Sequence, residues 1–214
     1  MSRVELVKTT FTLADYTRAV LVAWAREHGA YPSEGTCAVL WAQYALETGR
    51  GKACWNNNIG NVKHVEGDGH DYCELPNTWE IENGKRVVYQ PPSPQTWFRA
   101  YASLEEAMEH HLAFLAKRYG NAWSAITSGD PVGFATQLKA RGYFTAPLAD
   151  YVHGLSSLVA EFKRSGAYTA ALEALELPPT DPEHVQPRNP DTATDGIVDA
   201  VIAAYQQQDE GGDP

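Results

Sequence analysis

Cysteine is scarce: three in 214 residues, at 37, 54 and 73. An odd count cannot pair off completely, so the chain is not a disulfide scaffold. One bridge between Cys54 and Cys73 stays open beside free thiols, which are the simpler reading. Long apolar runs are missing too. No stretch approaches the ~18 apolar residues of a membrane span. The start, MSRVELVKTTFTLADY, has neither an apolar stretch nor a small-residue cleavage site, so no signal peptide is expected. No basic stripe stands out, which argues against a nucleic-acid partner. Lys and Arg nearly vanish late in the chain. Residues 166–214 hold 10 acids against Arg188 alone, while residues 1–165 hold 17 acids against 16 Lys and Arg. The net charge of −10 therefore belongs to the tail.

What is present suits one globular domain with an appendage: 43% hydrophobic and 11% aromatic residues. Residues 1–10 read as an extended arm. Thr12 caps a helix over 13–28, which Gly29 closes. A second helix starts near 33–36 and ends on Glu47, and a loop-rich stretch, 48–77, follows. Asn83-Gly84 between two β-prone runs predicts a hairpin over 78–90, and 96–101 a third short strand. Ser103 with Glu106 makes a capping box for a helix to about Tyr119. Short helices follow over 121–128 and, with Asp130 as cap and Pro131 in the first turn, to Arg141. A helix over 148–164 completes a unit spanning 1–165. Residues 166–177 extend it with one more helix, 178–195 is a Pro- and Asp-rich linker, and 196–214 an acidic C-terminal helix and tail. The layout is α+β, mainly α, with one small β-sheet between helices. No internal repeat is evident.

The stretch AVLWAQYALETGRGKACWNNNIGNVK, residues 38–63, carries the most chemistry. Val39, Leu40, Gln43, Tyr44, Leu46 and Glu47 fall at helical spacings, giving an amphipathic helix that Gly49 and Gly51 stop. Glu47 then sits at the negative end of the helix dipole, which disfavours its charged form. A carboxyl with a raised pKa suits a general acid.

ALETGRG followed by NNNIG resembles the E-S/T-G-x-G … N-N-x-aromatic-G signature of glycoside hydrolase family 73, the bacterial β-N-acetylglucosaminidases that include flagellar-rod muramidases and autolysins. Three more stretches fit in order. TWEIENGK resembles a T-x-E-Y-x-N-G hairpin. FRAYASLEEAMEHHLAFL matches through Phe98, Arg99, Tyr101, Ser103, Glu106, His111, Phe114 and Leu115. LKARGYFTAPLADYVHGL matches through Gly142, Tyr143, Thr145, Pro147 and Tyr151. The resemblance covers about residues 12–160. Asn58-Ile59 in place of Leu-Phe, and Ala102 and Ala146 in place of Asp, depart from the pattern.

The resemblance implies a lysozyme-like domain whose small β-hairpin lobe flanks a catalytic cleft, and cleavage of the β-1,4 bond after N-acetylglucosamine in peptidoglycan. It makes Glu47 the general acid and Glu80 the second carboxylate, with Glu82 its rival on the same strand face, and places Tyr143 beside the reacting sugar. Asn56 and Asn57 are candidate sugar donors, unless they cap the loop. Trp55, Trp79 and Tyr151 are further candidate substrate contacts, with Trp97 as another platform. No cofactor is implied. His111 reads as a hydrogen-bonded structural residue. His64, His70, Cys54 and Cys73 match no zinc spacing, so no metal is expected.

Other readings compete. A muramidase or lytic transglycosylase would share the fold and the acid. A non-catalytic glycan-binding or structural component of a phage or secretion apparatus would keep the fold without the chemistry. A cysteine hydrolase would use Cys37, whose place at a helix start lowers a thiol pKa. A wall enzyme made in the cytoplasm without a signal peptide would need release by a phage or secretion system. The C-terminal tail would then dock a delivery or immunity partner.

Overall fold

The computed structural model describes residues 2–175 apart from 83, 84 and 145. The linker and acidic tail expected over 178–214 lie outside the described residues.

Helix α1, Leu13–His28, opens on a full Thr12/Asp15 capping box and closes on Gly29 in the left-handed conformation. Helix α2, Glu34–Thr48, is the centre of the molecule. Ser33 caps it, and Gly49 ends it at φ 59°. The sequence suggests an amphipathic α2, but from Thr36 to Ala45 every residue is buried. The reason is composition, because no charged residue occurs between Glu34 and Glu47. A helix apolar all round belongs inside a helical cage, and α1 and two later helices, α4 (Trp123–Ser128) and α6 (Leu148–Ser165), surround it. Its last turn emerges, presenting Leu46 and Glu47 to solvent.

The β lobe differs from the expected single sheet. Strand β1, Asp71–Glu74, pairs antiparallel with β4, Trp97–Ala100; β2, Thr78–Glu82, pairs separately with β3, Lys85–Tyr89. The hairpin register, Glu82 opposite Lys85, leaves the two-residue connection that Asn83-Gly84 predicts. Strand β1 fell within the stretch read as loop, because four residues, DYCE, are too short for alternation to register. The N-terminal arm is extended, bridging Arg3 to Tyr72 and Lys8 to Trp55.

Helix α3, Leu104–Arg118, starts where Ser103 Oγ accepts from Glu106 N and Glu106 Oε2 accepts from Ala102 N. Helix α4 follows a 3-10 turn, α5 (Pro131–Ala140) starts at Asp130, and α7 (Ala167–Ala174) packs back on α1. All three cysteines are buried and free. Burial pushes the Cys37 thiol up to about 12, overriding its helix-start position and removing the basis for cysteine chemistry. No helix among the described residues is long and apolar enough to cross a membrane.

Candidate active site

The chain spends three consecutive left-handed residues to end α2 at Glu47's level: Gly49 (φ 59°), Arg50 (φ 59°) and Gly51 (φ 80°). Gly51 N donates to Thr48 Oγ1 at 3.0 Å, and Arg50 makes a two-pronged bond to Glu161 on α6 at 3.0 and 2.6 Å. The turn thereby clamps the end of α2 to α6.

Glu47 lines a cleft of about 260 Å³ together with Gln43, Tyr44, Ile59, Gly60, Asn61, Phe98, His111, Tyr119 and Tyr143. The walls come from α2, the 59–61 loop, β4, α3 and the segment after α5. Tyr151, buried on α6, donates its hydroxyl to Glu47 Oε1 at 3.0 Å, and Phe144 stacks on its ring. Burial pushes the Glu47 carboxyl above its ordinary pKa, and the Tyr151 hydrogen bond pulls part of the way back. The side chain keeps surface open to solvent, so water tempers the rise without reversing it. Opposite, burial holds His111 neutral, down to about 4. Its Nε2 lies 3.4 Å from Gln43 Oε1, while the buried Gln43 Nε2 has no partner among the described residues.

A family model described as mannosyl-glycoprotein endo-beta-N-acetylglucosaminidase matches residues 25–164. The chain belongs to this glucosaminidase family. It is a glycoside hydrolase. Among solved structures, a peptidoglycan hydrolase mutant from Sphingomonas sp. A1 is 27% identical, over 75% of this chain and 96% of that one, with a TM-score of 0.47. The glycoside hydrolase domain of FlgJ from Salmonella typhimurium is 24% identical, over 77% of this chain and 99% of that one, with a TM-score of 0.49. No curated protein matches the chain.

In this glucosaminidase the cleft brings Glu47 and Tyr143 together, and Tyr143 stands edge-on to Tyr119 at 5.3 Å. Tyr151 reaches the site as the partner of Glu47 rather than as part of the cleft lining. Glu80 stays outside that lining. Its carboxylate pairs with Lys63 Nζ at 2.8 Å, and Lys63 lies over the ring of Phe98, which does line the cleft. Glu82 accepts from the Tyr89 hydroxyl within the hairpin.

The asparagines are spent on architecture. Asn56 bonds the backbone of Glu5 and Val7, and Asn57 donates to Tyr101 O at 3.0 Å. Their left-handed φ values, 47° and 58°, explain why the loop carries asparagine there. Trp55 sits under Lys8 away from the cleft, Trp79 stands 52% exposed on β2, and Trp97 donates to Glu74. Gln43, Phe98 and Tyr119 received no site role from the sequence. Gln43 was findable, since it stands one helical turn before Glu47. His64, His70, Cys54 and Cys73 form no common ligand set; His70 stands beside Glu106 and His110.

Proposed function

We propose that this glucosaminidase cleaves the β-1,4 bond after N-acetylglucosamine in peptidoglycan, with Glu47 as the general acid. The observation that carries the reading is Glu47 itself: a carboxyl in a sugar-sized cleft, raised by burial and aimed by Tyr151. Protonation of the leaving glycosidic oxygen needs such a group. Tyr143 and Gln43 flank the bound sugar, and Glu80 serves as the second carboxylate from the hairpin. The ion pair with Lys63, outside the cleft lining, favours a second reading. In that case the substrate's own acetamido group stabilises the transition state and Glu80 positions the hairpin.

The test is digestion of purified peptidoglycan, followed by borohydride reduction and mass spectrometry. Wild type is expected to leave reduced N-acetylglucosamine ends, and Glu47→Gln to lose about 10²–10⁴-fold in rate. Reduced or anhydro-muramic ends would move the bond and make the enzyme a muramidase or transglycosylase. Comparable loss in Glu80→Gln supports two carboxylates, and retained activity supports acetamido assistance. No product from folded wild type would favour a glycan-binding component. The acidic tail is proposed to dock a delivery or immunity partner after release by a phage or secretion system. Removing residues 178–214 should leave glycan cleavage intact and abolish partner capture, and loss of the folded domain would reject that role.

A further inference from the structure

Beside the cleft wall, on the turns of α3 that also carry His111, three side chains from two distant parts of the chain converge. Glu106 and His110 stand four residues apart on one face of α3, and His70 comes from the loop leading into β1. One ligand-capable atom from each lies within 4.8 Å of the other two. The imidazoles of His70 and His110 meet edge to face at 4.5 Å, with Tyr101 closing the side. His70 is 7% exposed, and its buried Nε2 has no hydrogen-bond partner among the described residues. A buried ring nitrogen without a partner is costly unless something is bound to it.

We propose that His70, Glu106 and His110 form a binding site for a divalent transition-metal ion of the zinc class. Two imidazoles and one carboxylate are a donor set suited to zinc, with a fourth position left for water. Ligand atoms around tetrahedral zinc stand about 3.4 Å apart, given bonds of about 2.1 Å. Small side-chain rotations therefore close the site. One oxygen of Glu106 is held by Ala102 N, which orients the carboxylate as an outer hydrogen bond does at metal sites and leaves the other free. The guanidinium of Arg99 is nearby, but its Nε is paired with Asp68 at 2.8 Å. That charge opposes a bound cation, and the carboxylates of Glu106 and Asp68 counter it. The ion would tie the loop before β1 to the first turns of α3, joining the β lobe to the helical body at the back of the cleft. Sequence spacing conceals it, because His70 comes from a segment separate from the Glu106 and His110 pair on α3.

The full chain, without an affinity tag and stripped by chelator, is titrated with Zn²⁺ against a chromophoric chelator. One equivalent is expected to bind, to raise the melting temperature and, as Co²⁺, to give tetrahedral d–d absorption. His110→Ala, on the partly open side of the cluster, should weaken binding by at least about 10–100-fold, because a direct ligand counts for no less than an outer partner. His110→Cys should retain binding and add a thiolate-to-cobalt band. Absence of stoichiometric binding by folded wild type would overturn the site and leave a buried water as its occupant. Undiminished binding by both His110→Ala and His70→Ala would overturn it too. No glycan is involved, so the outcome is independent of the glucosaminidase reaction.

Discussion

The carboxyl of Glu47 answers to two opposed influences. Burial favours its protonated form, and the Tyr151 hydroxyl favours its ionised form. Because burial wins, the folded state holds this proton more tightly than the unfolded chain does. The contribution to stability is present at low pH and is lost as pH rises through the folded pKa. At neutral pH the charge therefore opposes folding, and Glu47→Gln should melt at a higher temperature than wild type while losing its activity. An unchanged or lower melting temperature would contradict this electrostatic account. Tyr151→Phe removes the group that lowers the pKa. The alkaline limb of its rate profile should move to higher pH, since the acid stays protonated longer, and the rate should fall because the carboxyl is less well aimed. An alkaline limb at lower pH would show that the Tyr151 hydroxyl does not favour the ionised carboxyl. The helix-end position of Glu47 was legible in the residues, whereas its partnership with Tyr151 spans 104 positions and exists only in the fold.

Loop and hairpin decide what Glu47 faces. In the turn after α2, a Cβ on Gly51 would lie 2.6 Å from the Tyr44 hydroxyl, and its φ of 80° strains any side chain. Gly51→Ala should cost about 1–3 kcal/mol of stability and lower activity by displacing Tyr44 from the cleft wall. A melting curve and rate equal to wild type would refute this. The Thr-Gly-Arg-Gly stop was readable from glycine chemistry. The separation of the strands into β1–β4 and β2–β3 was not, since pairing partners lie up to 29 residues apart (Asp71 with Ala100) and no local pattern selects them. The same limit applies to Glu80: alternation puts it on one face with Glu82, but only tertiary packing brings Lys63 to it.

Across the whole molecule, the β lobe is anchored by a buried ion pair. Arg99 and Asp68 have fully buried side chains and meet at 2.8 Å. Burial alone would raise the Asp68 pKa, but backbone donors from Val65 and His70 and the Arg99 charge overcome it, and the net shift is downward. A depressed carboxyl pKa stabilises the fold above its unfolded value, and that stability is lost as pH falls through the folded pKa. Asp68→Asn leaves a buried guanidinium uncompensated. It should cost about 3–5 kcal/mol and flatten the acid limb of the stability profile. A loss below about 1 kcal/mol, as for a surface pair, would show that water reaches the pair.

The sequence by itself determined the helices with their caps and stops, the hairpin, the family and the candidate acid. Each rests on local chemistry: dihedral preferences, capping side chains, hydrophobic period and short motifs. Only the tertiary structure decided that α2 is caged on all sides and that Asn56 and Asn57 serve the backbone. It also decided that Cys37 is buried with its thiol pKa pushed up, and that His70 meets Glu106 and His110. Those outcomes depend on which distant surfaces exclude water together, and burial and partnership are properties of the packed chain rather than of any one segment.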